Sequence, residues 1–505
     1  MGKDVSKVVK IAGILAACLL ISSGIVVFLN VPRDGVGGEL RKTWEVIRGG
    51  LTIDSPTAVF EGIVSLGLFL FTIAVIALDM RYRYFLALLA VSVIAFLGIT
   101  PPQRLIESVD WALIVFLVGS MSFATILRKM GVFTYLAAHI VKYSRGSVYI
   151  FIILLSALAW FTAMVVDEVT SVVYIVMIIL ELGRLLKVET EDLVILAVLS
   201  TNAGSLALPV GNPIGVYVAF TSGFTAREFV RYALPLSLLC FIATLLIFAV
   251  FKVGYLRGLE KAITSRSDML EAFITARVVD VPPKEKKART YGFVLLIMFL
   301  VTVSLSPALA EVLSTVAGYH VDPNSLLALT PCLYIVLTLP VIGAPELGEV
   351  LAKGVEWPSI TFFMFLFMLG YSLTWSGAMV KVAYATVTLS QSIYPGPHTV
   401  LIVLLITSAI LSAFLDNLSL VVALMPAVKL VAQIMVFKEI YWSVLFGGVL
   451  GGNLTPVGST ANIVAVSIVE RRRKARINWI KWLKISLPVF LGHSIIASAW
   501  SLLAL

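Results

Sequence analysis

Asp167, Glu168 and Asp416 are carboxylates in places that ordinarily exclude them. Each sits in the middle of about 35–40 mostly apolar residues, while nearly all the other acidic residues, of 29, map to connections or to the ends of apolar runs. Asparagine repeats the signal. The chain has eight, and five of them (Asn202, Asn212, Asn417, Asn453 and Asn462) fall in the same interrupted apolar stretches. A carboxylate or amide in hydrocarbon is costly unless it faces a cavity or a partner, so such residues are functional candidates by default. The chemistry open to them is the holding of an ion: carboxylate and amide oxygens ligate a cation, and a carboxylate can also exchange a proton. Thr170 and Ser419 add hydroxyls a short step beyond Asp167-Glu168 and Asp416-Asn417. The plain alternative makes Asp167-Glu168 and Asp416-Asn417 exposed turns between two full spans. Arm length allows it, because Arg145 to Asp167 is 22 residues, about 33 Å as helix. Against it, neither tip contains Gly or Pro, and Val169 and Leu418 resume the apolar run at once. Re-entrant tips are therefore expected.

Two further stretches read as broken helices. The first runs Asn202-Ala-Gly204-Ser205-Leu-Ala-Leu-Pro209-Val-Gly211-Asn212-Pro213, and the second Gly451-Gly452-Asn453-Leu-Thr455-Pro456-Val-Gly458-Ser459-Thr460-Ala-Asn462. Proline removes an amide donor and clashes with the preceding turn, and glycine permits unwinding. Irregular backbone inside a membrane is tolerated only around a protein-lined or watery cavity. Unwound carbonyls can coordinate a cation, and freed helix N-termini can hold an anion. A Na⁺ position is expected near Asp167, Asn202, Asp416 and Asn453. No other cofactor is implied. Cys18, Cys240 and Cys332 lie inside apolar runs and indicate neither disulfides nor a metal cluster. His139, His320, His398 and His493 show no ligand spacing and are assigned to interfaces. No phosphate-binding Gly-x4-Gly-Lys-Ser/Thr loop occurs, which argues against ATP hydrolysis by this chain.

These residues must be positioned by membrane helices. Sixty per cent of the 505 residues are hydrophobic and only 13% are charged, and apolar runs long enough to cross roughly 30 Å of hydrocarbon recur from end to end. The net charge of +9 does not indicate nucleic-acid binding, because the basic residues sit between apolar spans. Full spans are read near 9–29, 58–79, 84–100, 111–127, 232–252, 290–308, 326–343, 359–375 and 482–504. The first is read as a retained helix rather than a cleaved signal peptide, since the apolar run continues well past Cys18. The stretches 192–222 and 443–469 are each given one crossing, and 147–186 and 398–433 each enter and leave on one side. With the N-terminus cytoplasmic, this places 28 of the 38 Lys and Arg residues inside. The expected fold is an all-α membrane protein of about 11 transmembrane helices plus two re-entrant hairpins, with the C-terminus external.

The two sides of the hydrophilic 253–289 loop resemble each other. Val109-Asp110-Trp111 recurs as Val355-Glu356-Trp357 at an offset of 246, and Gly131 and Gly377 follow at the same spacing. Phe161 to Thr170 recurs as Leu411 to Ser419, at an offset of 249 from Asp167 and Asp416 onward, and Asn202 as Asn453 at 251. The charge count runs the paired spans in opposite directions, so the repeats are inverted. The division expected is 1–56 as an extra helix and external segment, 57–252 as repeat 1, 253–289 as a cytoplasmic linker and 290–505 as repeat 2. Inverted repeats are an architecture of secondary transporters, with the site at the repeat interface.

The motifs resemble those of the ion transporter superfamily that includes arsenite-efflux permeases, citrate/metal symporters, divalent-anion/sodium symporters, one class of sodium/proton antiporters and the melanosomal P protein. The resemblance covers about residues 57–505. Its most specific piece is Gly452-Asn453-Leu454-Thr455-Pro456-Val457-Gly458, and Leu415-Asp416-Asn417-Leu418-Ser419 looks most like the tips of the antiporter and P-protein branches. Asp167-Glu168-Val169-Thr170 is a variant with Glu168 where Asn is common, and Asn212, Ile214 and Gly215 depart from the usual ending of the first broken helix. The Ser-Asn-Thr tips of the dicarboxylate symporters are absent from both hairpins. The resemblance implies two inverted repeats and alternating access driven by a Na⁺ or H⁺ gradient.

The expectation is therefore a secondary active transporter of the cell membrane, not an enzyme. Its partners would be membrane lipid, a small inorganic or carboxylate ion, and a second copy in a homodimer. The alternatives are an arsenite or other anion permease working with a separate ATPase, and a passive channel. An intramembrane aspartyl protease is disfavoured because Ala413-Phe414-Leu415 precedes Asp416 where that chemistry has Gly-x-Gly. Acids favour a cation and helix ends favour an anion. A symporter would use both, and an antiporter the acids alone. Three single-cysteine variants test the topology: cysteines at Ser265 and Arg473 label only from the cytoplasm, and one at Pro395 only from outside. External labelling at Arg473 would overturn the inverted arrangement.

Overall fold

A computed structural model of the chain describes residues 2–78, 83–144, 147–166, 168–266, 268, 282–415, 417–473, 477 and 479–505. The described residues are helical or irregular. In chain order the helices begin with α1 (Gly2–Phe28), α2 (Gly35–Ile47), α3 (Pro56–Leu78), α4 (Arg83–Phe96) and α5 (Pro102–Glu107). Next come α6 (Trp111–Lys129), α7 (Val132–Ser144), α8 (Val148–Val165), α9 (Glu168–Leu186), α10 (Glu191–Ser205) and α11 (Pro213–Ser222). They continue with α12 (Ala226–Phe251, with a π turn at Phe229–Ala233), α13 (Val253–Ser265), α14 (Pro283–Ser304) and α15 (Ser306–Ala317). After these stand α16 (Pro323–Leu337, continued by Leu339–Ile342) and α17 (Ala344–Lys353). The last are α18 (Trp357–Trp375), α19 (Ala378–Ile393), α20 (Pro397–Ser412), α21 (Asn417–Met435), α22 (Ile440–Gly451), α23 (Thr460–Arg473) and α24 (Trp479–Ala504). Among the described residues 10 helices are long and apolar enough to cross a membrane, or up to 12 if each of two bent pairs counts as one span. The fold is that of an all-α membrane protein. The 84–100 span is shorter than read, because α4 ends at Phe96 after 14 residues.

The repeat is legible in the backbone. Helices α6 and α18 are both 19 residues long, as are α9 and α21. Gly131 after α6 and Gly377 after α18 share a left-handed conformation, with φ of 77° and 79°. Among the described residues, the non-glycine positions with positive φ are Lys187 and Val436, at 54° and 49°, each closing a second hairpin arm. A β-branched residue such as Val436 is strained there, so the shared geometry reflects the turn rather than the residue.

Two compact units divide the chain, and they are not the repeats. One comprises 1–111 and 357–448, the other 112–356 and 449–505, so each draws on both sides of the linker. In the first unit α1 packs along α3. Helix α2 buries Leu40 and Trp44, and Trp44 Nε1 donates to the Thr374 carbonyl at 2.9 Å. Buried Lys381 donates to the Val26 carbonyl at 2.5 Å, and Arg41 pairs with Asp54 at 2.7 Å. Glu61, inside α3, is buried against Arg48 at 2.6 Å, and the Arg48 guanidinium lies over the Trp375 ring.

In the second unit a continuous apolar core joins α8, α9 and α10 to α13, α23 and α24. The linker begins as structure: α13 buries Leu256, Leu259 and Ile263 in that core. The α9–α10 turn is tied down beside it. Arg266 donates to the Leu186 carbonyl, Tyr255 to the Glu189 carbonyl at 2.7 Å, and Lys252 pairs with Asp192 at 2.9 Å.

Helix α10 lies so close to α8 that a Cβ at Gly204 would overlap the Trp160 carbonyl oxygen. In the first unit the same elements of the other repeat approach in the same way, Gly447 of α22 meeting the Leu405 carbonyl of α20. Gly204→Ala should therefore lower the thermal stability of the purified protein by several degrees, an overpacking cost of about 1–3 kcal/mol. A surface control, Gly258→Ala, meets nothing within 4 Å and should leave the melting temperature unchanged.

Candidate functional site

Both interruptions fall where the sequence places them, and both lie at least partly in the second unit. Helix α10 ends at Ser205, a single 3-10 turn follows at Pro209–Gly211, and extended Asn212 opens α11. Helix α22 ends at Gly451, and the chain stays irregular until Thr460 opens α23. The breaks are closed by side chains in matching positions. Asn212 Nδ2 donates to the Ser205 carbonyl at 2.9 Å, and Asn462 Nδ2 to the Thr455 carbonyl at 2.8 Å, each reaching back seven residues. Ser237 of α12 donates to the Ala203 carbonyl at 2.6 Å, and Ser486 of α24 to the Leu454 carbonyl at 2.8 Å. Ala203 and Leu454 each follow the asparagine that opens a break. The four groups satisfy carbonyls that an unbroken helix would have satisfied itself.

The two breaks are joined through amides. Asn202 Nδ2 donates to Asn453 Oδ1 at 2.9 Å and to Asn462 Oδ1 at 3.0 Å, and all three asparagines are fully buried. Asn462 Nδ2 also donates to the Gly452 carbonyl at 2.7 Å. Asn202 Oδ1, by contrast, is buried with no hydrogen-bond partner.

Glu168, the first residue of α9, reaches the same place from the hairpin tip. Ser205 Oγ lies 3.3 Å from one of its carboxylate oxygens and Ser459 Oγ 3.4 Å from the other. One hydroxyl comes from each break. Ser205 also accepts from Asn212 Nδ2 at 3.1 Å, and Ser459 accepts from the Ala461 amide at 3.2 Å as α23 starts. Glu168 is only 3% exposed. Its repeat counterpart is the neutral Asn417, and among the described residues Glu168 is a carboxylate that reaches both breaks. Hard cations take oxygen ligands of these kinds.

Of the other expected residues, Thr455 is buried in the second break, and Gly211 and Gly458 lie within their turns. Thr460 is the first residue of α23. Thr170 lies beside Thr162 and Ser171, which share a 2.6 Å hydrogen bond. Gly204 serves the packing of α10 on α8. Asn417 and Ser419 are buried at the start of α21, in the first unit. Asp167 and Asp416 lie outside the described residues. His493 corrects the assignment of the histidines to interfaces. It is fully buried, with Nδ1 3.2 Å from Asn453 Nδ2 and Nε2 near Thr244 Oγ1 and the Cys240 carbonyl. The signal that could have found it is the repeat, since Thr244 and His493 are 249 positions apart, the offset of the hairpin tips.

The chain is similar in sequence to known membrane transporters. The family described as citrate transporter matches residues 68–447. An uncharacterized transporter of Mycobacterium bovis is 28% identical over 422 residues, covering 81% of this chain and 91% of that protein. The human P protein is 22% identical over 524 residues, covering 91% of this chain and 61% of its own length. Among solved structures, the Alcanivorax borkumensis YdaH transporter aligns with a TM-score of 0.48 at 12% identity, covering 84% of this chain and 98% of that one.

Asn202→Leu and Asn453→Leu test the amide junction. Each variant should insert and purify as wild type does but lose ion or solute binding, because each removes the link between the breaks and strands a buried amide at about 1–3 kcal/mol. Wild-type transport by both would show that the amides serve the fold alone.

Proposed function

The chain belongs to the citrate transporter family and is a multi-pass membrane transporter, and from that premise we propose secondary active transport across the cell membrane. A small inorganic or carboxylate ion crosses by alternating access, driven by a Na⁺ or H⁺ gradient. The observation that carries this reading is the Glu168 carboxylate, reached by Ser205 from the first break and Ser459 from the second. A cation held there would touch the hairpin tip and both broken helices at once. Its occupancy would bias any rearrangement that moves those elements apart, and differential affinity of this kind is what couples an ion to a conformational change. Asp167, next to Glu168, and Asp416, its repeat counterpart, are proposed as the further coupling carboxylates. Thr170, Asn417 and Ser419 complete the two tips. The carried solute would meet the freed helix N-termini at Pro213 and Thr460, where backbone amides favour an anion. The proposed orientation keeps the N-terminus cytoplasmic and the C-terminus external.

Reconstituted proteoliposomes test this. Citrate, arsenite and dicarboxylate uptake is measured with Na⁺ and pH gradients imposed separately and together. Wild type should accumulate one of them only when a gradient is present. Glu168→Gln, Asp167→Asn and Asp416→Asn should each lower that accumulation at least about tenfold, the loss of about 1.4 kcal/mol of coupling, with unchanged expression. Uptake indifferent to every gradient would mark a passive channel. Accumulation retained by all three variants would remove the tips from the coupling site.

A further inference from the structure

The buried amides form a chain whose direction is fixed at both ends by groups that can only accept. At one end Asn462 Nδ2 faces the carbonyls of Gly452 and Thr455, at 2.7 and 2.8 Å. Its oxygen must therefore be the atom turned to Asn202, and Asn202 must present its NH2. The same NH2 serves Asn453 Oδ1 at 2.9 Å, which leaves the Asn453 NH2 for His493 Nδ1 at 3.2 Å. At the other end His493 Nε2 lies 2.9 Å from the Cys240 carbonyl. A carbonyl donates nothing, so Nε2 carries the hydrogen and Nδ1 keeps its lone pair. Thr244 fits this tautomer, because its hydroxyl donates back to the Cys240 carbonyl at 2.9 Å and its oxygen stands 3.0 Å from Nε2. Read through, the donors run from Asn453 to His493, from Asn202 to Asn453 and Asn462, and from Asn462 to the backbone.

Both hydrogens of Asn202 Nδ2 are thereby used within the chain. Its Oδ1 is the atom left over, buried and without a partner. Buried carbonyl oxygens of this kind are rare in folded proteins and call for an explanation. The rest of the amide chain holds that oxygen open. Were Asn453 to turn over, it would present NH2 to NH2 and set Asn202 between two opposed demands, its NH2 required by Asn462 Oδ1 and its oxygen by Asn453.

We propose that His493 is a positioning residue of the ion site. Its Nδ1 lone pair holds the Asn453 amide in one direction, and through it keeps Asn202 Oδ1 available as a ligand for a hard cation such as Na⁺. This rests on the reading of the breaks as an ion site. His493 touches no ion itself. Its equivalent in the first repeat, Thr244, supplies the hydroxyl that stands beside the imidazole, so the two repeats contribute unlike groups to one hydrogen-bonded pair. The assignment explains a fully buried imidazole deep in the last apolar helix, far in sequence from every group it contacts.

Two replacements separate the role of Nδ1 from mere space filling. The oxygen of His493→Asn can sit near the Nδ1 position and accept from Asn453, whereas His493→Gln places its amide near Nε2 and abandons Nδ1. The full chain is purified in detergent, and its affinity for Na⁺ is read from the rise in melting temperature as NaCl replaces choline chloride. His493→Gln should weaken Na⁺ binding about tenfold or more and His493→Asn by less than about threefold, with the two melting alike without Na⁺. Equal losses in the two variants, or none in either, would overturn the proposal. Independently, 15N spectra of histidine-labelled protein carrying His139→Gln, His320→Gln and His398→Gln should show His493 with Nδ1 unprotonated. A protonated Nδ1 would overturn the assignment whether or not Na⁺ binds. No response to Na⁺ in wild type would instead remove the ion-site reading, with the tautomer still deciding the role of His493.

Discussion

A helix interrupted inside an apolar segment frees amides and carbonyls that lipid cannot satisfy, and the second unit is built around meeting that demand twice. Each break is closed from within by an asparagine seven residues downstream, Asn212 or Asn462, and from outside by a serine on the following long helix, Ser237 or Ser486. The serines oblige α12 and α24 to pack directly on the broken segments. Gly204, in turn, lets α8 come close enough for Trp160 Nε1 to reach Ser237 at 2.8 Å. Helix positions, glycine positions and buried hydroxyls are thus consequences of one constraint, that no polar backbone group be left facing hydrocarbon.

Symmetry governs that scaffold, but the chemistry on it is unequal. Asn212 turns its oxygen to the Gly215 amide at 2.6 Å and so caps its own helix, while the oxygen of Asn462 is given to Asn202 of the other repeat. Glu168 stands at one hairpin tip and Asn417 at the other. Thr244 faces His493. The repeats thus carry unlike residues at equivalent places. The amides also add no charge. Burying an unpaired ion costs far more than burying a hydrogen-bonded amide. In the alternating-access reading the emptied carrier must also rearrange, and a mainly amide and hydroxyl frame lowers the cost of that step.

The sequence reveals what depends on local chemistry. Pro209, Pro213 and Pro456 with their neighbouring glycines mark the breaks, and the offsets from 246 to 251 mark the repeat, because both follow from residue type and spacing. It does not reveal features settled by distant partners. Helix α2 is a short amphipathic segment whose Trp44 finds its acceptor 330 residues away, and Glu61 is sheltered by Arg48 only once that segment docks. The 253–289 loop reads as a hydrophilic connection because charged residues dominate it, yet Leu256, Leu259 and Ile263 share one buried helical face. The division into compact units escapes a reading by repeats, since contact follows space and not chain order.

His493 shows why the candidate site is only partly legible. An imidazole announces itself in sequence when a second ligand stands three or four residues away, as metal-binding helices require. Its partners here are Cys240, Thr244 and Asn453, 253, 249 and 40 positions distant. No local pattern records such a set. Aligning the two repeats does, because it lays His493 over Thr244 just as it lays Asn453 over Asn202, so a polar residue in one apolar helix is matched by a polar residue in its twin. Pairs of that kind are improbable in helices selected chiefly for hydrophobicity, and each partner then has a reason to be polar: the other is there to satisfy it. In a duplicated membrane fold, the residues that disobey the hydrophobic pattern at equivalent places are best read together, since the symmetry that repeats them also brings them within reach of one another.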